Sequence, residues 1–435
     1  MKGDVVKKAF FGSVLSLLLI TACHAPADGL IASDALSSSA ADQETIEQQI
    51  EKYFLKDSPE GKLVKALPEP KGKKLATVLS YRAMDNDLAP SLKKHLNEME
   101  AAGSSTSLNL VTFTDSDQEA DGYYRYLRYD LTSKLTSPYL AAFAQEVNSA
   151  DPATLRKVVD WGFDQYPAQF KVLDMASHGE GYRGMATDFT SGYQTMSLDG
   201  FGDAVKKGLK GRSLDVLNLL ACLMSTAEVA YEFRDVSDVM IASQDLIRGD
   251  RVFYYTPTLT RLANQKTKAD ARELGRQLVL DARPESPGRG SYTLAALDLT
   301  QVDELKSAFN RLSNALRDEL PQQSKQIAKA YRQTPVMAKD QGSSSHRDLS
   351  IFCDHLRSTF GDRSEIGERA LAVKQRVKAM IITAKEKKME KDVAKGLSLY
   401  MPDLPDEQID EAYGKTRWAK DTSWDEFLVT FQKSL

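Results

Sequence analysis

Five apolar runs of strand length, separated by segments of helical periodicity, constrain this chain more than any other feature in it. The runs are "KLATVLSY" (74–81), "SLNLVTFT" (107–114), "FKVLDMAS" (170–177), "LDVLNLLA" (214–221) and "DVMIAS" (238–243). Nearly unbroken apolar character is what strands buried on both faces require. Between the runs, 88–102 carries apolar residues three and four apart, and 151–166 opens with Asp151 and Pro152 at its first helical position. Segments 199–209, 225–235, 301–318, 321–333 and 364–395 read as further helices, and "YYRYLRYDL" (123–131) alternates like an edge or hairpin strand. This alternation predicts an α/β fold with a mostly parallel sheet flanked by helices.

Open sheets of this kind bind ligands outside the carboxyl ends of their strands. Two of the runs carry reactive side chains there: "FKVLDMASHG" ends in His178 and Gly179, and "LDVLNLLAC" in Ala221 and Cys222. Taken singly, a cysteine after a strand reads as a small core residue and a His-Gly pair as a turn. On consecutive parallel strands they predict a nucleophile and the base that deprotonates it. Gly179 lets a substrate backbone approach closely, and its N–H, with that of Cys222, supplies two donors for an oxyanion.

The blocks around these residues extend the match. "ACLMSTAEVAYEFR" (221–234) and "YPAQFKVLDMASHGEGYRG" (166–184) resemble the cysteine and histidine blocks of clostripain-like cysteine peptidases, relatives of caspases, gingipains and legumain. "MDNDL" (84–88), "IASQD" (241–245), "GLSLYMP" (396–402) and "SWDEFL" (423–428) are similar to further segments of that family, so the resemblance covers roughly 74–435. It implies a caspase-like fold and a cysteine endopeptidase acting on proteins or peptides through a thioester. Cys222 would be the nucleophile, His178 the general base and acid, and the amides of Gly179 and Cys222 the oxyanion donors. No third catalytic side chain is implied; Glu228 and Tyr231 are expected to pack their helix.

The chain departs from the family pattern at one telling place. Members that cleave after Arg or Lys carry an acid two positions before the cysteine, where this chain has Leu220. After "SQD" stand Ile247, Arg248, Arg251 and Val252, leaving Asp245 and Asp250 either as replacement acids for the substrate pocket or as solvated loop carboxylates. Strict Arg/Lys preference is therefore not expected, and an uncharged or acidic P1 residue is. Family members are often zymogens cut between the histidine and the cysteine. Here Arg183, Lys206, Lys207, Lys210 and Arg212 are the basic candidates, although such residues also simply clothe a helix.

A net charge of −4 offers no basic footprint for nucleic acid. Three scattered cysteines make no disulfide framework. Cys353 and His355 in "FCDHL" diverge on a helix and lack the partners of a zinc site, so a structural role is expected for them. No cofactor is required. Resemblance to some relatives leaves calcium open, with "DSDQEAD" (115–121) the one suggestive stretch, although it lacks the spacing of a dedicated loop.

At the N-terminus, Lys2, Lys7 and Lys8 precede the short apolar run "FFGSVLSLLLI", and "ITAC" ends at Cys23. This resembles a bacterial lipobox. The implied organisation is a signal peptide at 1–22, a spacer at 23–72 lipid-anchored through Cys23, a catalytic domain at 73–290 and a helix-rich α/β region at 291–435 packing on it. Such a protein sits in the bacterial cell envelope, on the outer membrane if the host is Gram-negative. The competing reading is a catalytically silent surface lipoprotein that binds peptides or a protein partner.

Overall fold

The computed structural model describes residues 73–435, apart from 117–118, 127–136, 138, 143–145, 248–251, 254, 268, 285–291, 339–344 and 388–393. Residues 1–72, where a signal peptide, the lipidated Cys23 and a spacer are expected, lie outside the described residues.

The strands in chain order are β1 (Lys74–Met84), β2 (Leu108–Ser116), β3 (Glu119–Tyr126), β4 (Tyr139–Ala142), β5 (Ala168–Ala176), β6 (Met185–Asp188), β7 (Gln194–Met196) and β8 (Leu214–Leu220). They continue with β9 (Ser237–Ala242), β10 (Val252–Phe253), β11 (Arg283–Pro284), β12 (Tyr292–Asp298), β13 (His346–Asp348), β14 (Ile381–Lys387) and β15 (Ser398–Tyr400). Nine of them form one sheet in the order β14-β12-β9-β8-β5-β1-β2-β3-β4. Its five central strands, β9, β8, β5, β1 and β2, are the five apolar runs, and they run parallel. Antiparallel strands close both flanks.

Both faces of the sheet are covered, which explains the unbroken apolar runs. From β8, Leu217 and Leu219 enter one core, while Val216 and Leu220 enter the other. Helices Pro152–Gln165, Leu198–Leu209 and Ala227–Phe233 pack on the first face, and Ala89–Glu100, Tyr255–Ala263 and Ala271–Asp281 on the second. Helix Pro152–Gln165 starts where the sequence indicates: the Asp151 carboxylate accepts the Ala153 N–H at 2.8 Å and Pro152 needs no donor.

The region after 290 contributes β12 and β14 to the same sheet and adds long helices to the first face. Two expectations change here. The helices read at 301–318 and 321–333 are one helix, Val302–Gln333, with Pro321 inside it. Its buried stripe of Leu312, Leu316, Leu320 and Ile327 runs through the proline. Each such side chain is worth about 1.5–3 kcal/mol, enough together to outweigh a cost of about 3 kcal/mol for an internal proline. The helix expected to continue to 395 stops at Met380, and the chain becomes β14, an edge strand of the main sheet. The mixed charges of "KEKKMEKD" begin on that strand, where an exposed edge favours lysine. No helix among the described residues is long and apolar enough to cross a membrane.

Candidate active site

β5 and β8 are neighbours in register, with Ala176 opposite Leu220. His178 and Cys222 each stand two residues further on, so they leave the sheet side by side at its carboxyl edge. Both line one pocket, together with Met84, Leu88, Ser91, His95, Ala176, Ser177, Leu220 and Ile247. The two residues singled out in the sequence are thus brought into a common cleft.

The strand exits are pressed together. A side chain at Gly179 would place its Cβ 2.6 Å from the Cys222 carbonyl oxygen and 2.8 Å from the Ala221 Cβ. Glycine at 179 and a small residue at 221 are therefore demands of close approach. After Cys222 the backbone turns sharply through Leu223 at φ 61°, unusual for a residue with a side chain. The Leu223 N–H donates to the Asp245 carbonyl at 3.3 Å, and the Ser225 N–H to the Ser243 carbonyl at 2.8 Å, which pins this turn to the end of β9. Cys222 Sγ faces the Ile247 backbone, accepting its N–H at 3.4 Å and lying 3.6 Å from its carbonyl oxygen.

His178 has a partner that the sequence reading did not assign. Its Nε2 lies 2.5 Å from Asp87 Oδ1, both side chains being partly buried. Asp87 sits in "MDNDL", directly after β1, and β1 is paired with β5 up to Arg82 opposite Ala176. The sequence shows an acid soon after the first apolar run, but only the strand order, with β1 beside β5, makes it the partner of the histidine. The loop carrying it is held at several points. Asn86 Nδ2 donates to the Thr187 carbonyl at 2.7 Å, the Leu88 N–H donates to Asn86 Oδ1 at 3.0 Å, and the Phe189 N–H donates to the Asp85 carbonyl at 2.8 Å.

A buried polar layer underlies the pocket. Arg82 forms an ion pair with Asp174, and both are buried. Asn218 donates to Asp174 at 2.6 Å, and Arg82 donates to the Tyr255 hydroxyl at 2.8 Å while lying 5.0 Å from its ring centre. Asp174 and Asn218 each stand four residues before a site residue, so this layer stiffens both strand ends.

Leu220, 2% exposed, lies in the pocket wall. Asp245 is placed differently. It is 8% exposed, is not among the residues lining the pocket, and its carboxylate accepts the N–H groups of Leu246 at 2.6 Å and Ala338 at 3.0 Å. It anchors loops, and its effect on the site runs through its backbone carbonyl. Asp250, with Arg248 and Arg251, lies outside the described residues.

The C-terminal region reaches the same turn. Glu228, 1% exposed, accepts the Tyr400 N–H at 2.9 Å and the Tyr413 hydroxyl at 3.2 Å, and burial raises its pKa above the usual carboxylate range. Tyr231 donates to Asp421 at 2.6 Å. Both hold their helix in place, as expected. Cys353 is fully buried, which pushes its thiol far up, and burial lowers the pKa of His355; both are structural.

The basic residues between His178 and Cys222 are engaged. Arg183 pairs with Asp410 at 2.7 Å. Lys206 and Lys207 lie on helix Leu198–Leu209, while Lys210 and Arg212 form ion pairs with Asp160 and Asp164. Near the loop of Asp87, four acids converge: Asp85, Asp115, Glu146 and Asp188. Burial, tempered by the Ser149 hydroxyl and reinforced by the neighbouring acids, pushes Asp115 up to about 8. Burial also raises Glu146 to about 7 and Asp85 above its ordinary value.

Comparison with known proteins agrees with this geometry. The sequence profile of the clostripain family matches residues 80–431. Clostripain of Hathewaya histolytica is 26% identical over 333 residues, which take in 64% of this chain. The chain spans only 61% of that relative's length. Among solved structures, a secreted C11 cysteine protease of Bacteroides thetaiotaomicron, in complex with an irreversible peptide inhibitor, has a TM-score of 0.63 at 18% identity. An inactive zymogen C11 protease of Parabacteroides distasonis has a TM-score of 0.60 at 22% identity. Each is covered almost entirely, 100% and 99%, by 81% of this chain, so the fold is shared over nearly their whole length.

Proposed function

Because the chain belongs to the clostripain family, we propose that it is a cysteine endopeptidase with Cys222 as nucleophile. The observation that carries this is the placement of His178 and Cys222 at matched ends of adjacent parallel strands, lining one pocket. His178 takes the thiol proton. The thiolate then attacks the scissile carbonyl carbon, and the amides of Gly179 and Cys222 stabilise the oxyanion. His178 returns the proton to the leaving amine, and water hydrolyses the thioester. Asp87 on Nε2 leaves Nδ1 as the nitrogen available to the sulfur, so Asp87 acts as a positioning residue for the ring. The chemistry requires no cofactor.

The pocket supports a P1 residue without positive charge. Met84, Leu88, Ala176, Leu220 and Ile247 make much of its wall apolar, and among the described residues that line it none is a carboxylate, Asp250 lying outside them. An Arg or Lys would lose water against these described residues without gaining a charged partner among them. Among uncharged side chains, an apolar P1 residue fits best.

The contacts of Cys222 with the Ile247 backbone are those of a resting site, and the sulfur exchanges them for substrate on attack. Resemblance to an inactive zymogen supports a latent form. The basic residues of 183–212 are held in a helix or in ion pairs. A cut there would require local unfolding, so the latent form is expected to become active without a cut between His178 and Cys222.

The lipobox-like "ITAC" supports export and anchoring through a lipid on Cys23, with the spacer lifting the enzyme from the membrane. Loss of membrane fractionation in Cys23→Ser is the expected outcome; a variant that still fractionates with membrane contradicts the anchor.

The test of the peptidase is covalent trapping. A peptide bearing an acyloxymethyl ketone and an apolar P1 residue should add one mass equivalent to the protein, located on Cys222 by peptide mapping. Absence of an adduct, or its location on Cys353, would contradict the reading.

A further inference from the structure

The geometry points to His346 as a positioning residue for the catalytic turn: when the site takes up substrate, a ring N–H of His346 donates to the Leu223 carbonyl and holds the turn that carries Cys222. His346 is 3% exposed and stands on β13, opposite Tyr400 of β15. The edge of its ring faces the segments that leave β5 and β8. A Cβ on Gly181 would fall 2.5 Å from His346 Nε2, 2.9 Å from its Cε1 and 3.2 Å from the Leu223 carbonyl oxygen. Nitrogen and oxygen thus lie close to one point. Gly181 follows shortly after His178, and Leu223 directly after Cys222, so one imidazole from the C-terminal region meets both strand exits.

Packing alone does not account for a histidine here. Among the described residues, neither ring nitrogen of His346 has a hydrogen-bond partner, and buried polar groups are rarely left so. Burial keeps the ring neutral, lowering its pKa to about 3, so one of its nitrogens carries a hydrogen to give. Beside it, Leu223 holds φ 61°, a strained conformation for a residue with a side chain. No backbone N–H among the described residues donates to the Leu223 carbonyl. A donor without an acceptor therefore stands next to a carbonyl that no backbone group binds, on a strained turn. Strain and an orphaned polar group side by side mark a turn with a second arrangement.

The resting contact of Cys222 supplies the trigger. Its sulfur accepts the Ile247 N–H at 3.4 Å and gives up that bond when it attacks. One tether of the turn is then released, and the Leu223 carbonyl swings onto His346. The histidine itself stays where β13 holds it. Its carbonyl accepts the Met337 N–H at 2.8 Å, the preceding Ser345 carbonyl accepts the Met401 N–H at 2.6 Å, and the rings of Tyr182 and Tyr400 lie 5.7 and 6.5 Å from its own. The new bond fixes the Cys222 backbone, whose N–H serves the oxyanion. This role rests on the peptidase reading, since it concerns the turn of the nucleophile.

The test follows inactivation by an acyloxymethyl ketone peptide with an apolar P1 residue in wild type, His346→Phe and His346→Gln. Phenylalanine keeps a flat ring and removes the donor, whereas glutamine returns an N–H near the place of Nε2. His346→Phe should melt no lower than wild type, because two orphaned nitrogens are gone. Its maximal inactivation rate should fall at least tenfold, with the half-saturating concentration within a few-fold of wild type. His346→Gln should recover most of that rate. In wild type labelled with 15N-histidine, the His346 N–H signal, identified by its absence from the variants, should move downfield and exchange more slowly once Cys222 is modified. An undiminished rate in His346→Phe, no recovery in His346→Gln, or a His346 signal unmoved by trapping overturns the positioning role and leaves the peptidase standing. No adduct on wild-type Cys222 sinks the peptidase reading and the positioning role with it.

Discussion

Asp87 Oδ1 lies 2.5 Å from His178 Nε2, and so the histidine enters the site already oriented by an acid from the neighbouring strand's loop. A carboxylate in this position fixes the ring and supports the imidazolium that forms when the thiol is deprotonated. Asp87→Asn should lower kcat by about 10- to 100-fold, by analogy with loss of the outer partner of a metal-bound histidine, with KM within a few-fold of wild type. An equal loss through KM alone would assign Asp87 to substrate binding instead.

On the proposed reading, Leu220 decides the charge accepted at P1. Leu220→Asp places a carboxylate in the pocket wall, where it can pair with a guanidinium or ammonium. Cleavage after Arg and Lys should rise at least tenfold relative to Leu at P1, with some loss of stability from a buried charge. A variant that keeps the original preference would show that residue 220 does not read the P1 side chain.

Gly179 has no room for a methyl group, because its Cβ would fall 2.6 Å from the Cys222 carbonyl oxygen. Gly179→Ala should therefore displace the two strand exits and cost about 100-fold in kcat/KM, as expected for misplacement by about 1 Å. Its circular dichroism should match wild type. Near-normal turnover would remove the close-approach argument.

The Arg82–Asp174 pair is buried and bonded on several sides. Asp174→Ala leaves a buried guanidinium without its countercharge, which should cost about 3–5 kcal/mol in denaturant unfolding. A loss below about 1 kcal/mol would mean that water reaches Arg82.

His346 is fully buried beside Tyr182 and Tyr400, and burial lowers its pKa from 6.5 to about 3. The unfolded chain binds this proton below pH 6.5 and the folded chain does not, so stability is lost as pH falls through that window. Between pH 6 and 4 the loss from this group is on the order of 1.4 kcal/mol per pH unit. His346→Leu should flatten the fall of melting temperature with acid over that range; an unchanged slope would show that His346 protonates in the folded protein.

The parallel core was legible because buried strands need continuous apolar runs, and β1, β2, β5, β8 and β9 are those runs. The cysteine and histidine were legible because chemistry at the ends of such strands leaves reactive residues after apolar ones. Asp87 was not singled out, since its role comes from the strand order, which places β1 beside β5, and no local pattern records that order. Asp245 was misplaced for the complementary reason: its proximity in sequence to the site says nothing of its bonds to Leu246 and Ala338. The convergence of Asp85, Asp115, Glu146 and Asp188 likewise depends on four separated segments meeting. Pro321 misled because a local rule for helix ends was outweighed by a buried stripe spanning several turns.

The most direct test incubates the soluble form, residues 24–435, and its Cys222→Ala variant with peptides varied at P1, reading products by mass spectrometry. Cleavage by the wild type alone, after uncharged apolar residues, is the predicted result. Cleavage by both proteins, or by neither in the presence of calcium, would contradict Cys222 as the nucleophile of an endopeptidase, and a sharp preference for Arg or Lys would contradict the pocket built around Leu220.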